Sequence, residues 1–153
     1  MSRIQLALNV SNLDEAVVFY SKLFKSAPAK VRPGYANFAI DEPPLKLVLI
    51  EGGGEPGSLN HLGVEVFSVE EVKEATTYFT ANDVATTVEV QTTCCYAVQD
   101  KVWVDGPDNT RWEVYTVLGD APTMSEPSID SCCASSESVS LGAAADTPAT
   151  SCC

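Results

Sequence analysis

Histidine is almost missing from this chain: His61 is the only one. A metal centre would have to take its other ligands from carboxylates, amides or thiols. Basic residues are scarce as well. Nine Lys and Arg stand against 21 Asp and Glu, a formal net charge of −12. That imbalance argues against a surface that neutralises nucleic-acid phosphates. It suits a small-molecule enzyme or a protein that binds a cationic drug. No apolar run approaches the ~20 residues a membrane-spanning helix needs. The start, Met1-Ser-Arg-Ile-Gln-Leu-Ala-Leu8, enters a strand pattern directly, with no separate apolar segment or cleavage site. The expectation is a cytoplasmic protein with no membrane partner. The dispersed cysteine spacing of a secreted disulfide scaffold is absent too. The six cysteines form three adjacent pairs, Cys94–Cys95, Cys132–Cys133 and Cys152–Cys153. In a reducing compartment they are thiols, open to a thiophilic ligand.

What is present is a repeat. Asn60–Phe67 alternates like a strand, with His61, Gly63 and Glu65 on one face and Leu62, Val64 and Val66 on the other. Residues 5–16 match residues 61–72 at an offset of 56, so that Leu6 falls on Leu62, Val10 on Val66 and Glu15 on Glu71. Gln5 falls on His61. Each repeat opens with a strand, at 3–10 and 60–67. A helix follows, introduced by a capping box: Asn12 with Glu15, then Ser68 with Glu71. The first helix should run to Pro28 and the second to about Asn82. Short strands are expected at 29–32, 35–41 and 45–50, then at 85–91, 96–104 and 110–118. The glycines of 51–58 precede a strand and lack a following Lys-Ser/Thr, so they form a linker and no phosphate loop.

The predicted class is therefore α+β, two βαβββ modules at about 3–50 and 60–118 pairing into a curled mixed sheet. Together they make one domain, 1–119. From 120 onward there are five acids and no Lys or Arg. Large aliphatics are few there, and such a segment buries too little apolar surface to offset its ordering entropy. A flexible, acidic, Cys-containing tail is expected over 120–153.

The helix-facing residues of both leading strands are apolar, so Gln5 and His61 should point into the concave side, brought together by the repeat. In the last strand Glu113 shares a face with Arg111 and Tyr115. A buried carboxylate needs a metal or another cation as partner. Gln5, His61 and Glu113 supply one amide oxygen, one imidazole nitrogen and one carboxylate, a facial set with open positions. Glu65 and Asn9 share the faces of His61 and Gln5 and stand as alternative donors if the register is displaced by one pleat.

These features resemble the vicinal oxygen chelate superfamily of glyoxalase I, bleomycin-resistance proteins and extradiol dioxygenases. The paired βαβββ plan covers about residues 3–118, and Gly106-Pro-Asp-Asn-Thr-Arg-Trp-Glu113 is similar to that family's last-strand signature, whose Glu is a metal ligand. Within it the chain looks most like the ArsI-type carbon–arsenic lyases, marked by a vicinal cysteine pair before the penultimate strand, here Thr92-Thr-Cys-Cys-Tyr-Ala97. The resemblance implies an Fe(II)- and O2-dependent enzyme that releases arsenite from trivalent methyl- and aryl-arsenicals. Formaldehyde or a phenol would be the other product.

Gln5, His61 and Glu113 would hold iron, Cys94 and Cys95 would bind arsenic, and Tyr96 and Trp103 would wall the pocket, with Tyr115 a further candidate. Neighbours on a regular strand point to opposite faces, so Cys94–Cys95 should lie in a loop or irregular segment. The partners would be the organoarsenical and O2, with the chain a monomer or a homodimer. A glyoxalase-like metal-dependent isomerase or a bleomycin-resistance-type drug-binding protein are the rival readings. Neither needs the thiol pair.

Overall fold

Both helices begin where their caps dictate. In the computed structural model, which describes residues 2–125, the Asn12 side chain accepts a hydrogen bond from the Glu15 amide at 3.1 Å, and Ser68 accepts from the Glu71 amide at 3.2 Å. The first unit runs β1 (Arg3–Val10), α1 (Leu13–Phe24), β2 (Lys30–Arg32), β3 (Tyr35–Ile40) and β4 (Leu45–Glu51). The second repeats the order: β5 (Leu59–Glu65), α2 (Val69–Ala81), β6 (Thr86–Cys94), β7 (Ala97–Asp105) and β8 (Arg111–Asp120). The fold is the expected α+β pair of βαβββ units.

All eight strands join one mixed sheet in the order β2-β3-β4-β1-β5-β8-β7-β6. The units meet at an antiparallel seam between β1 and β5, and each leading strand also pairs in parallel with the last strand of its own unit. Strand alternation then sorts the side chains. Leu6, Leu8 and Val10 face α1, where they pack with Leu13, Phe38, Leu47 and Leu49. Val64, Val66, Val102 and Val114 pack against Val72, Ala75 and Phe79 of α2. The opposite face is concave. Lys30 of β2 reaches the carbonyl oxygen of Tyr96, just beyond β6, at 3.1 Å, so the two ends of the sheet curl toward each other.

The larger departures from the expected element ends are at α1, β5, β6 and β8. Helix α1 stops at Phe24, before Pro28, because Lys25 is left-handed (φ 52°) and its N–H returns to Ser21. Strand β5 stops at Glu65, and the amide of Phe67 is bonded to Glu71 at the start of α2 instead. Strand β6 continues through Thr93 to Cys94 by pairing with β7 across an irregularity between Glu89 and Thr92. Strand β8 continues to Asp120.

Beyond it the chain crosses the β6–β7 hairpin. Ala121 N–H bonds the Tyr96 carbonyl, Cys95 N–H bonds the Met124 carbonyl, and Ser125 bridges Cys94. Residues 121–125 thus form a strap where a flexible tail was expected. The remainder of that tail, with Cys132, Cys133, Cys152 and Cys153, lies outside the described residues. Among the described residues no helix is long and apolar enough to cross a membrane.

Candidate metal centre and thiol pair

The β1–β5 register pairs Gln5 with Gly63 and Ala7 with His61. Adding the repeat offset to one pair gives the other, so the seam has the two-fold relation that the sequence repeat implied. Gly63 also sits opposite Glu113 on β8. The three donors consequently converge inside the cup. Gln5 Nε2 lies 2.7 Å from Glu113 Oε1 and 3.0 Å from His61 Nε2, and His61 Nε2 lies 3.3 Å from Glu113 Oε1. Glycine at 63 is what permits this closeness. A Cβ there would stand 3.1 Å from Glu113 Cγ and 3.3 Å from Gln5 Cβ.

Neighbouring groups hold each donor. His61 Nδ1 is 2.7 Å from Asn60 Oδ1 and gives its N–H to that oxygen, so Nε2 is the ring nitrogen that faces the cluster and is the one available to a cation. The Trp103 ring meets the imidazole edge-on, with centroids 5.4 Å apart. Tyr115 hydroxyl donates to Gln5 Oε1. Lys101, only 1% exposed, places Nζ 2.8 Å from Glu113 Oε2. Burial works to raise the Glu113 carboxyl, but the neighbouring His61 ring and the Lys101 ammonium bring it down to about 2. Burial likewise works to lower Lys101, and the Glu113 charge more than offsets it, so the ammonium persists.

This donor set fits a divalent cation. It offers one ionised carboxylate, one imidazole lone pair and one amide, and a half-turn of the Gln5 amide brings its oxygen inward while Tyr115 accepts instead of donating. Among the described residues no three of His, Cys, Asp and Glu cluster as a metal site. A cation held by His61 and Glu113 would take its third protein donor from the Gln5 amide. The first unit supplies no second carboxylate: Val48 stands opposite Ala7, as Glu113 stands opposite Gly63. The alternative donors are committed elsewhere. Glu65 pairs with Arg3 and with Lys46 at 2.8 Å, and Asn9 bonds Ser58 and Asn60, each at 2.9 Å.

The thiols lie at the tip of the β6–β7 hairpin. Cys94 ends β6 opposite Ala97, and Cys95 and Tyr96 turn the chain, both left-handed at φ 59° and 58°. That is the two-residue turn whose twist matches a hairpin. It re-aims Cys95 so that both sulfurs share one side, 3.0 Å apart. The irregularity expected at the pair is therefore this turn, with Cys94 itself still in the ladder.

The hydrogen bond from Cys95 lowers the Cys94 thiol to about 6, against the opposing effect of burial and with help from the Lys101 ammonium. Cys95 is pushed well up by giving that bond and by its burial. The pair thus carries one proton near neutral pH. Cys95 packs against Ala7, Tyr35 and Val48, and Ala7 stands opposite His61 across the β1–β5 seam, which puts the thiol pair on the same side of the sheet as the donors.

Tyr96 packs its ring against Tyr35 at 5.7 Å and gives its hydroxyl to the Pro33 carbonyl, buttressing the turn. Trp103, through the His61 ring, and Tyr115, through the Gln5 amide, are the aromatics that touch the donor cluster. Sequence reading did not single out Lys101. Its signal was the run Gln99, Lys101, Trp103 on one face of a strand, polar where a core face would be apolar.

Residues 3–114 match the model of the Glyoxalase/Bleomycin resistance protein/Dioxygenase superfamily. A trivalent organoarsenical cleaving enzyme from Thermomonospora curvata is 57% identical over 145 residues, 94% of this chain and 96% of that protein. The cadmium-induced protein CadI of Mycobacterium tuberculosis is 59% identical over 124 residues, 81% of this chain and 82% of that protein. Among solved structures, the Mn(II)-bound glyoxalase from Novosphingobium aromaticivorans has the same fold, with TM-score 0.56 and 16% identity over 79% of this chain and 42% of that one.

Proposed function

The chain belongs to the glyoxalase/bleomycin resistance protein/dioxygenase superfamily, and from that premise we propose that it cleaves the carbon–arsenic bond of trivalent organoarsenicals, using O2 and an Fe(II) held by Gln5, His61 and Glu113. The observation that carries this reading is the meeting of two sites in one cup: the buried Gln5 and Glu113 and the half-buried His61 within 3.3 Å of one another, and a vicinal thiol pair with sulfurs 3.0 Å apart. A glyoxalase-like isomerase or a drug-binding protein would leave the thiol pair without a role.

The thiol pair captures the substrate. A methylarsenite, CH3As(OH)2, exchanges two As–O bonds for two As–S bonds. Each hydroxyl leaves as water with one proton from the pair or from solvent, and arsenic stays trivalent. Cys94, already a thiolate at neutral pH, attacks first, and Cys95 closes the chelate. The single As–C bond is left free to face the donors, and the gain is that of holding reacting groups together.

Iron, when bound, supplies the binding and reduction of O2. Glu113 stays ionised as a ligand because Lys101 balances its charge. Asn60 and Trp103 fix the His61 ring, and Tyr115 fixes the Gln5 amide. The overall change balances without any other reagent: methylarsenite plus O2 gives arsenite, As(OH)3, plus formaldehyde. The methyl carbon loses four electrons and O2 takes up four. Phenol formation from an aryl group accounts for only two of them, so conversion of an aryl arsenite and O2 to a phenol and arsenite draws two more electrons, with two protons, from a thiol or similar donor.

The test is anaerobic reconstitution with Fe(II), then methylarsenite and air. Arsenite should appear with the native chain and fall at least 100-fold with Cys94→Ser/Cys95→Ser. Release that survives the double substitution would remove the thiol pair from the mechanism, and failure of Fe(II) to bind would remove the metal.

A further inference from the structure

One cavity adjoins the thiol pair at Cys95. It measures about 200 Å³ and is walled by Cys95, Tyr35, Ala39, Ala97, Gln99 and Val117. A pocket of ~150 Å³ already holds a benzene ring, so one substituted ring fits. Its cationic wall residues are occupied: Arg3 and Lys46 both pair with Glu65, and Lys30 pairs with Asp120. An anionic ligand therefore meets no free cation.

Gln99 is different. It is 4% exposed, its Nε2 reaches the Cys94 carbonyl at 3.4 Å, and its Oε1 is the only buried side-chain polar atom without a hydrogen-bond partner among the described residues. A buried acceptor left unsatisfied carries an uncompensated desolvation cost, which a donor on a ligand would relieve.

Resting on the lyase reading above, we propose that this cavity is a ring subsite, in which Gln99 accepts a hydrogen bond from a hydroxyl or amino group on the aryl substituent of an arsenite held by Cys94 and Cys95. The thiol exchange is common to all arsenites, so it cancels when two ring-bearing ligands are compared. What remains is the ring and its substituent. Small walls at Ala39 and Ala97 leave the space, and the Tyr35 ring gives it a flat apolar side. The subsite thus selects for ring-bearing arsenicals that carry a hydrogen-bond donor over those that carry none.

The experiment is anaerobic binding to the Fe(II)-loaded protein, followed by intrinsic fluorescence, with 4-hydroxyphenylarsenite, 4-fluorophenylarsenite and methylarsenite as probes. The hydroxyl ligand should bind roughly three- to tenfold tighter than the fluoro ligand, and Gln99→Leu should bring that ratio to about one. Equal affinities in the native chain would mean that water alone serves Gln99, and would overturn the proposal. So would a ratio that Gln99→Leu leaves unchanged.

Should Gln99→Leu fail to fold, Ala39→Leu fills the same cavity from an exposed position. It should weaken both aryl ligands at least tenfold relative to methylarsenite, and equal weakening of all three would overturn the assignment. Aerobic arsenite release from methylarsenite separates the two levels of the argument. Release with no ring discrimination sinks only the subsite, whereas no release sinks the lyase reading itself.

Discussion

Replacing Cys95 by Ala should slow the other thiol rather than merely halve the number of sulfurs. In the native chain Cys94 titrates near 6, first because Cys95 donates a hydrogen bond across 3.0 Å and then because the Lys101 ammonium faces it. At pH 7 roughly nine-tenths of Cys94 is thiolate on that value. A hydrogen bond to a charged acceptor is worth ~1.5–3 kcal/mol, or ~1–2 pH units. Removing the Cys95 donor should therefore move the Cys94 midpoint upward by about that much and leave roughly one half to one tenth of it as thiolate at pH 7.

The assay is the rate of iodoacetamide alkylation across pH 5–9 at the folded protein, with mass spectrometry to assign the site. The native profile should rise through about 6 at Cys94. The Cys95→Ala profile should rise one to two units later. Cys95→Ser retains a hydroxyl donor and should fall between. A midpoint that does not move in Cys95→Ala would refute the shared-proton account and with it the claim that Cys94 attacks arsenic first.

Three other outcomes follow from the same contacts. Lys101→Met removes the buried partner of Glu113 and should cost about 3–5 kcal/mol in urea unfolding of the metal-free protein, with less lost once a cation takes over the neutralising role; a loss under ~1 kcal/mol would mean the pair is not held as described. Gly63→Ala puts a Cβ 3.1 Å from Glu113 Cγ, and Fe(II) affinity by competition with a chelator should drop roughly 10–100-fold while circular dichroism stays native; unchanged affinity would detach Gly63 from the site. Methylarsenite turnover should proceed in O2 without added reductant, whereas arsenite release from phenylarsenite should scale with added thiol. The opposite pattern would contradict the electron count.

Much of the centre was legible because it is local and periodic. Gln5, His61 and Glu113 stand on alternating strands whose other faces are plainly apolar, and the 56-residue repeat tied the first two together before any coordinates. The capping boxes at Asn12 and Ser68 fixed both helix starts. What escaped reading depends on pairing between distant segments or on backbone shapes that no residue type announces. Lys101 acquires its meaning only from Glu113 on the adjoining strand. Val48 is recognisable as the missing carboxylate only once the β1–β4 register is known. Lys25, Cys95 and Tyr96 all take left-handed conformations without being glycine, so neither the early end of α1 nor the hairpin at the thiols carried a sequence signal. The strap over residues 121–125 is held by backbone hydrogen bonds to the hairpin and by Met124 packing near Tyr35 and Tyr96, and composition encodes neither.

The most direct measurement of the central claim is the stoichiometry of O2 uptake by the Fe(II)-loaded protein on adding methylarsenite. Uptake should equal both the formaldehyde and the arsenite produced, one to one to one, and should vanish in Glu113→Ala and in Cys94→Ser/Cys95→Ser. Arsenite released without O2 uptake, or uptake that persists without the thiol pair, would contradict a single cup in which the buried donors and the two sulfurs act on the same molecule.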